Sequence, residues 1–494
     1  PGQALCPLLR ALTPLLPLLG RHRSAVHVLE TALRQTPRLA GCLRDETPDG
    51  GDATTSLEEA LRAFGEEVRR DLVSYASHTH ASYLVRTLVQ VFAGVLLDTS
   101  PRRPNAREHS GKVTEFDVPE TFNEELKAIA KILMENVSVF VTQPVASVVY
   151  QTILTATKDS EPTLCAELTS AVISYLSSLS QGKDSSCSLQ LFLKDRTGSR
   201  LLETVITVAD RKLFQKLLKG HFLGDLVSLS LHPMANFTIQ RLLSSCPSPR
   251  LFCKIFDELL PGLETVLAEG HTGVITELIS GCARHKVRQQ EALTGLFEAF
   301  HCGEPKSRQI TCLPLFLSLQ TYEILYPEGH KTTSEQTLTV TAQGSVLAQQ
   351  LMMFAETEGI LSSLSGLSPA QRLPLACHPS GSHVLSAFLT SPTITASHRA
   401  QLSNSFSGQW LTLACSKHGS RVLDQIWNSA SSSARQDIAE ELAQSEAVLL
   451  RDAVGHHIAR NLSLSHFIRR RKDWESHQAT DSKKRKIFSE ILEA

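Results

Sequence analysis

Gly198–Ile206 reads GSRLLETVI, and the same phrase returns as ANFTIQRLL at Ala235–Leu243, GSHVLSAFL at Gly381–Leu389 and GSRVLDQIW at Gly419–Trp427. ASYLVRTLV at Ala81–Val89 and GHHIARNLS at Gly455–Ser463 are looser copies. Each copy is a small residue, a pair of side chains, two apolar residues and a polar one. With the residue two after the small one as marker, Arg200, Phe237 and Val274 fall 37 apart, and Val346, His383, Arg421 and His457 follow at 37, 38 and 36. The interval from Val274 to Val346 is 72, two periods, which predicts a degenerate unit near Ile310, where SRQITCLPLFLSL keeps the apolar pattern around Pro314. Val148, Tyr83 and, more weakly, His27 mark earlier units at wider spacings of 52, 65 and 56.

Repetition at this period is the signature of stacked supersecondary units. On a helix, Ser199 and Glu203 lie one turn apart on one face, whereas Leu201, Leu202, Val205 and Ile206 form an apolar stripe on another. One such unit cannot bury its stripe alone, but a stack of them buries a continuous core. The expected fold is therefore all-α, an α-solenoid or superhelical stack of about eleven helical repeats over residues 1–468, followed by a basic helical tail at 469–494. Polar, Gly- and Pro-rich stretches near 45–56, 98–119 and 180–188 read as loops on the solenoid that widen the early spacings. Asp195, Thr341, Ser416 and Asp452 precede the small residue by three and can cap the helix, and His232-Pro233 and His378-Pro379 place proline in its first turn. The small residue itself admits a close neighbour.

The bulk numbers agree with a helical globular chain: 494 residues, 42% hydrophobic, 20% charged and 6% aromatic. Lys plus Arg (49) and Asp plus Glu (50) nearly cancel, so any surface for an anionic partner must be local. Eleven cysteines without a CxxC pair read as reduced thiols of a nuclear or cytosolic protein. No apolar stretch is long enough to span a bilayer, and the opening PGQALCPLLRALTPLLPLLG reads as a repeat entered partway rather than a signal segment. His78-x-His80 and His456-His457 lack an acidic or Cys partner at ligand spacing, and adjacent histidines point apart on a helix, so no metal or other cofactor is expected. No P-loop, GxSxG, HExxH or GxGxxG stretch is present, and no enzyme is expected.

The phrase resembles the Pumilio, or PUF, RNA-binding repeat, in which two edge-reading residues four apart bracket a stacking residue. Ser199 and Glu203 around Arg200 resemble that family's guanine-type triad, and Asn236 and Gln240 around Phe237 its uracil-type triad. A carboxylate accepts from a guanine edge, and amides offer donors and acceptors alike. Ser147/Gln151 and Ser345/Gln349 resemble adenine-type edge pairs around the poor stackers Val148 and Val346. Ser82/Arg86 around Tyr83, Ser382/Ser386 around His383, Ser420/Asp424 around Arg421 and His456/Arg460 around His457 match no standard base. A continuous reading of one base per repeat is thus not expected. The number of divergent units and the phrases HPMANFTIQRLL, CSKHGSRVLDQIW and GHHIARN resemble the nucleolar branch of the Pumilio-like family. That resemblance implies a monomeric protein of the nucleus and nucleolus. It would bind precursor 18S ribosomal RNA among pre-ribosomal particle proteins and restrain premature 3′-end cleavage.

The clusters Arg469, Arg470, Arg471, Lys472 and Lys483, Lys484, Arg485, Lys486 read first as an import signal, second as phosphate contacts and third as no more than a solvated helix. Two rivals stay open on sequence grounds, a HEAT- or armadillo-like scaffold for protein partners and an enzyme whose site lacks a familiar motif.

Overall fold

The computed structural model describes residues 2–43, 57–97, 113–179, 187–327 and 337–478. The loops expected at 45–56 and across most of 98–119 and 180–188 lie outside these residues, as do Lys483, Lys484, Arg485 and Lys486. The described chain is helical apart from one short antiparallel ribbon, β1 (Val95–Leu97) on β2 (Val113–Glu115), with Val95 opposite Glu115. Part of the segment expected as loop is therefore paired. The Leu97 N–H donates to the Gln90 side chain and the Leu97 carbonyl accepts from Arg34, which ties the ribbon to the first two repeats.

The chain forms two compact units, residues 1–247 and 248–494. The phrase-bearing helices of the first are α1 (Ala25–Leu33), α2 (Ala81–Phe92), α3 (Pro144–Ser160), α4 (Arg196–Val208) and α5 (Ala235–Ser244). Each packs on the next in that order. The second unit repeats the ladder with α6 (Thr272–His285), α7 (Ala342–Leu351), α8 (Gly381–Thr390), α9 (Gly419–Ser429) and α10 (Gly455–Asn461). A short helix precedes each phrase helix and a longer one follows in most repeats, as Trp410–Cys415 and Ser432–Ala443 flank α9.

Helix α4 shows why the phrase folds this way. Asp195 accepts from the Thr197 and Gly198 N–H groups at 2.9 and 2.8 Å, satisfying two donors that a helix start leaves over. Leu201, Leu202, Val205 and Ile206 are all buried, each contributing about 1.5–3 kcal/mol. The small residue is required by close approach: a Cβ on Gly198 would lie 2.6 Å from the Phe192 carbonyl oxygen, and one on Gly344 2.2 Å from that of Leu317. The neighbour it admits is the short helix just before it.

The unit expected near Ile310 is placed differently. Helix Cys312–Ser318 packs on α7 as that repeat's short helix, and α6 packs directly on α7. The 72-residue interval is thus one repeat lengthened on both sides of helix Cys312–Ser318, by residues 300–311 and 319–341, so among the described residues ten helices carry the phrase. Pro314 is the third residue of its helix, where a missing N–H costs no intrahelical bond. The two added segments are tied together: Arg308 lies over the Tyr322 ring at 4.1 Å, and His301 bridges Glu323 at 2.8 Å and Glu264 of the preceding short helix at 3.1 Å.

Residues 471–478 are helical and sit on the second unit. Trp474 is buried, meets Trp427 and Phe467 edge-on and donates its indole N–H to the Leu462 carbonyl. Arg435, also buried, donates to Gln478 and to the carbonyls of Trp427 and Asn428.

Candidate nucleic-acid interface

Every phrase helix named as capped in sequence is capped in space: Thr341 accepts from the Gly344 N–H, Ser416 from Gly419, and Asp452 from Val454 and Gly455. Where the cap position is histidine, the ring does the same work. His78, His232 and His378 accept through Nδ1 from two backbone N–H groups each, at 3.1–3.3 Å. This role places the ring proton on Nε2. Pro233 and Pro379 stand in the turn ahead of their helices rather than in the first helical turn.

Proper starts fix the rotation of each helix, and so decide which triad members face outward. The middle residues do so in most repeats: Tyr83, Val148, Arg200, Phe237, His383, Arg421 and both His456 and His457 are exposed, and Val346 is half-buried. Val274 is 1% exposed and belongs to the core. The last members, Arg86, Gln151, Glu203, Gln240, Gln349, Ser386 and Asp424, are half-buried beside them, and Arg460 is exposed.

Apart from His456, which is exposed, the first members, expected as base-edge readers, are instead turned inward. Ser82, Ser147, Ser199, Asn236, Ser345, Ser382 and Ser420 are buried. The hydroxyls of Ser82, Ser382 and Ser420 donate to the carbonyls of Thr79, Pro379 and Lys417 in the turn below. Ser345 donates across to the Ser380 carbonyl of the next repeat at 2.7 Å. Asn236 spends its amide on the carbonyls of His232 and Pro233, both at 2.9 Å. These side chains also orient their partners one turn on. Gln151 donates to Ser147 at 3.1 Å, Gln240 to Asn236 at 3.0 Å and Gln349 to Ser345 at 3.0 Å, so three amides are held in one pose.

In the first unit successive repeats converge on one cleft of about 640 Å³. Gln151 and Thr155 of α3, Ser199, Arg200, Glu203, Thr204 and Thr207 of α4, and Phe237 and Arg241 of α5 line it, with Met234 at its end. This is nucleotide-sized space. Thr155, Thr204, Thr207 and Arg241 were missed in sequence because they lie beyond the phrase's first turn. At the start of the same unit Tyr83 is partly covered by its own protein, with the Arg86 guanidinium 4.3 Å over its ring and His27 at 6.0 Å. Burial holds Arg86 below the usual arginine range.

In the second unit the face is basic. Burial first, then the charges of Lys417 and Arg421, hold the His418 imidazole below the ordinary histidine range. Asp424 is pushed up by burial against a hydrogen bond from Asn461, and Asp452 is held low by the N–H groups of Gly455 and Val454. The rings of His456 and His457 lie 3.8 Å apart rather than diverging. Of the terminal basic cluster, Arg469, Arg470 and Lys472 are exposed, whereas Arg471 pairs with Glu440 and Glu475 and stacks on Phe467. Among the described residues no three His, Cys, Asp or Glu side chains gather as a metal site requires, and no helix is long and apolar enough to cross a membrane.

Residues 2–457 match the family model described as the NOP9-like PUF repeat domain. The chain is 42% identical over 520 residues to Nucleolar protein 9 of Mus musculus and 41% identical over 519 residues to Nucleolar protein 9 of Homo sapiens. Both alignments span 100% of this chain and 81% of the relative. In fold it is similar to the solved structure of APUM23-GGAAUUGACGG, with a TM-score of 0.79 at 22% identity over 96% of this chain and 87% of that one.

Proposed function

The chain belongs to the NOP9-like PUF repeat family, and from that premise we propose that it is a nucleolar RNA-binding protein that holds unpaired precursor ribosomal RNA on its phrase helices. The target is the precursor of 18S ribosomal RNA near its 3′ end. Occupancy there restrains premature cleavage within the pre-ribosomal particle. The protein acts as a monomeric binder and not through a reaction of its own.

The observation that carries this reading is the cleft in which Gln151, Arg200, Glu203 and Phe237 meet from three consecutive helices. It offers one aromatic face, one guanidinium plane and two edge-reading groups, the chemistry by which unpaired bases are stacked and read. The test is a filter-binding titration with single-stranded RNA between about 50 and 200 mM salt, joined to crosslinking against total cellular RNA. RNA binding that weakens with salt by counterion release, with crosslinks gathered at the 3′ end of the small-subunit precursor, is the expected result. No retention of RNA even at the low-salt end refutes the binding itself. Crosslinks confined to other RNAs refute the assigned target.

A further inference from the structure

The two units differ in what their exposed rows offer. In the first two repeats of the first unit the cations are matched within the protein: His27 and Arg34 both meet Glu30, and Arg86 lies on Tyr83. What faces the cleft is an aromatic ring, an amide and a carboxylate beside Arg200. The last three repeats of the second unit reverse this. Lys417 and Arg421 are exposed, and the positive charge of both reaches His418. Arg460 continues the row one repeat on. Among the described residues none of Lys417, Arg421 and Arg460 is in an ion pair. The nearby acids are engaged inside the fold, Asp452 on the N–H groups of Val454 and Gly455 and Asp424 with Asn461.

Clustered like charges with no internal counterion hold condensed anions, and release them when a polyanion takes their place. The base-reading alternative is weak at these repeats. Among the described residues this row carries histidines and no Phe, Tyr or Trp, and the last-position groups Ser386, Asp424 and Arg460 match no standard edge-reading pair.

We propose that the second unit grips the sugar-phosphate backbone through Lys417, Arg421, His383 and Arg460, without reading bases, while the first unit supplies base recognition at the Arg200–Phe237 cleft. This rests on the RNA-binding reading above and adds to it a division of labour between the units. Lys417 and His418 precede the repeated phrase instead of lying within it, so the period alone does not mark them as site residues.

The experiment uses the full chain and two probes of equal length, a single-stranded RNA and an oligoribonucleotide backbone whose riboses carry no base. Fluorescence anisotropy is read from about 50 to 200 mM salt. Wild type is expected to bind both probes, the base-free one more weakly. Lys417→Ala with Arg421→Ala removes two phosphate partners, so both affinities fall together by roughly tenfold near 0.15 M salt, and the log–log salt slope flattens by about 1.4. Both side chains are exposed, and an unchanged circular-dichroism melt confirms that the variant is folded. Lys212→Ala with Lys216→Ala, on the separate helix Arg211–Leu217, removes equal charge and leaves the slope as it was. Phe237→Ala lowers affinity for RNA alone. Base-free binding that is absent in wild type, that survives Lys417→Ala with Arg421→Ala, or that falls with Phe237→Ala overturns the proposal while RNA binding stands. Failure of wild type to bind the base-bearing RNA removes the underlying reading as well.

Discussion

Arg200 and Phe237 stand in one cleft on successive helices, and replacing each by Ala, singly and together, asks whether they serve one base or two. A base stacked on a protein side chain contributes roughly 1–3 kcal/mol, so each single substitution is expected to weaken RNA binding by roughly 5- to 150-fold. If the two hold opposite faces of one base, the double variant loses little more than the worse single, with a coupling energy of roughly 0.5–3 kcal/mol. Separate bases give additive losses. The cleft favours coupling, because Glu203 and Gln151 lie in it with both stackers and can reach the edge of one base between them.

The fold should survive these changes. Phe237 is 52% exposed, so truncation gives up only about half of the 1.5–3 kcal/mol that a fully buried ring of this kind contributes. The cost is about 1 kcal/mol, or roughly 2–4 °C in melting temperature for a unit of this size. Anisotropy titrations at one fixed salt concentration, with a melt of each variant, separate affinity from stability. A folded double variant that binds as wild type does would refute the assignment of this face, whatever the coupling.

Three further outcomes test the frame that presents the site. Gly344→Ala places a methyl 2.2 Å from the Leu317 carbonyl oxygen, a backbone atom that cannot step aside, and is expected to destabilise by roughly 1–3 kcal/mol or more in a denaturant titration. His232→Ala removes the acceptor for the Met234 and Ala235 N–H groups and should lose about 1 kcal/mol, which His232→Asp restores; equal loss in both would show that ring packing, not capping, matters. The His301 imidazole is raised by its hydrogen bonds to Glu323 and then Glu264, so its stabilisation is full below the unfolded histidine value near 6.5 and is lost as pH rises through the higher folded value. The melting temperature should decline across that window relative to His301→Gln, and parallel profiles for the two proteins would contradict the bridge.

The period and the stripe were legible because each follows from local geometry. Leu201, Leu202, Val205 and Ile206 recur at helical spacing whatever surrounds them, and all four are buried. Depth was not legible. Ser199 and Arg200 are neighbours of similar polarity in the string, yet Ser199 is 1% exposed and Arg200 is open, because the Phe192 carbonyl presses against Gly198 and turns the next side chain inward. Val274 falls at the marker interval and is core, as an aliphatic side chain in place of a stacker suggests. The histidine caps were hidden for another reason: capping preference points to Asp, Ser and Thr, and a ring nitrogen reaches the same N–H groups only when the turn, here with Pro233 or Pro379 next to the histidine, aims it there.

The interval that contains Ile310 separates chain length from packing. Periodicity counts residues, and the interval of 72 equalled two repeats only because the segments that lengthen this repeat, 300–311 before helix Cys312–Ser318 and 319–341 after it, together have nearly the length that doubles one. The ladder counts contacts. Despite the added segments, Thr341 donates to the Leu317 carbonyl through its N–H at 2.9 Å and its hydroxyl at 3.0 Å, and Gly344 closes onto the same oxygen. Helix α7 is therefore seated by what it touches and not by the length of chain that delivers it. The same seating brings Ser345 to the Ser380 carbonyl and holds Gln349 in the pose that Gln151 and Gln240 share. Because small residue, stripe and turn fix the helix, the outward positions are released from any packing duty, which is what permits one unit to present Gln151, Glu203 and Phe237 and the other Lys417, Arg421 and Arg460 on the same scaffold.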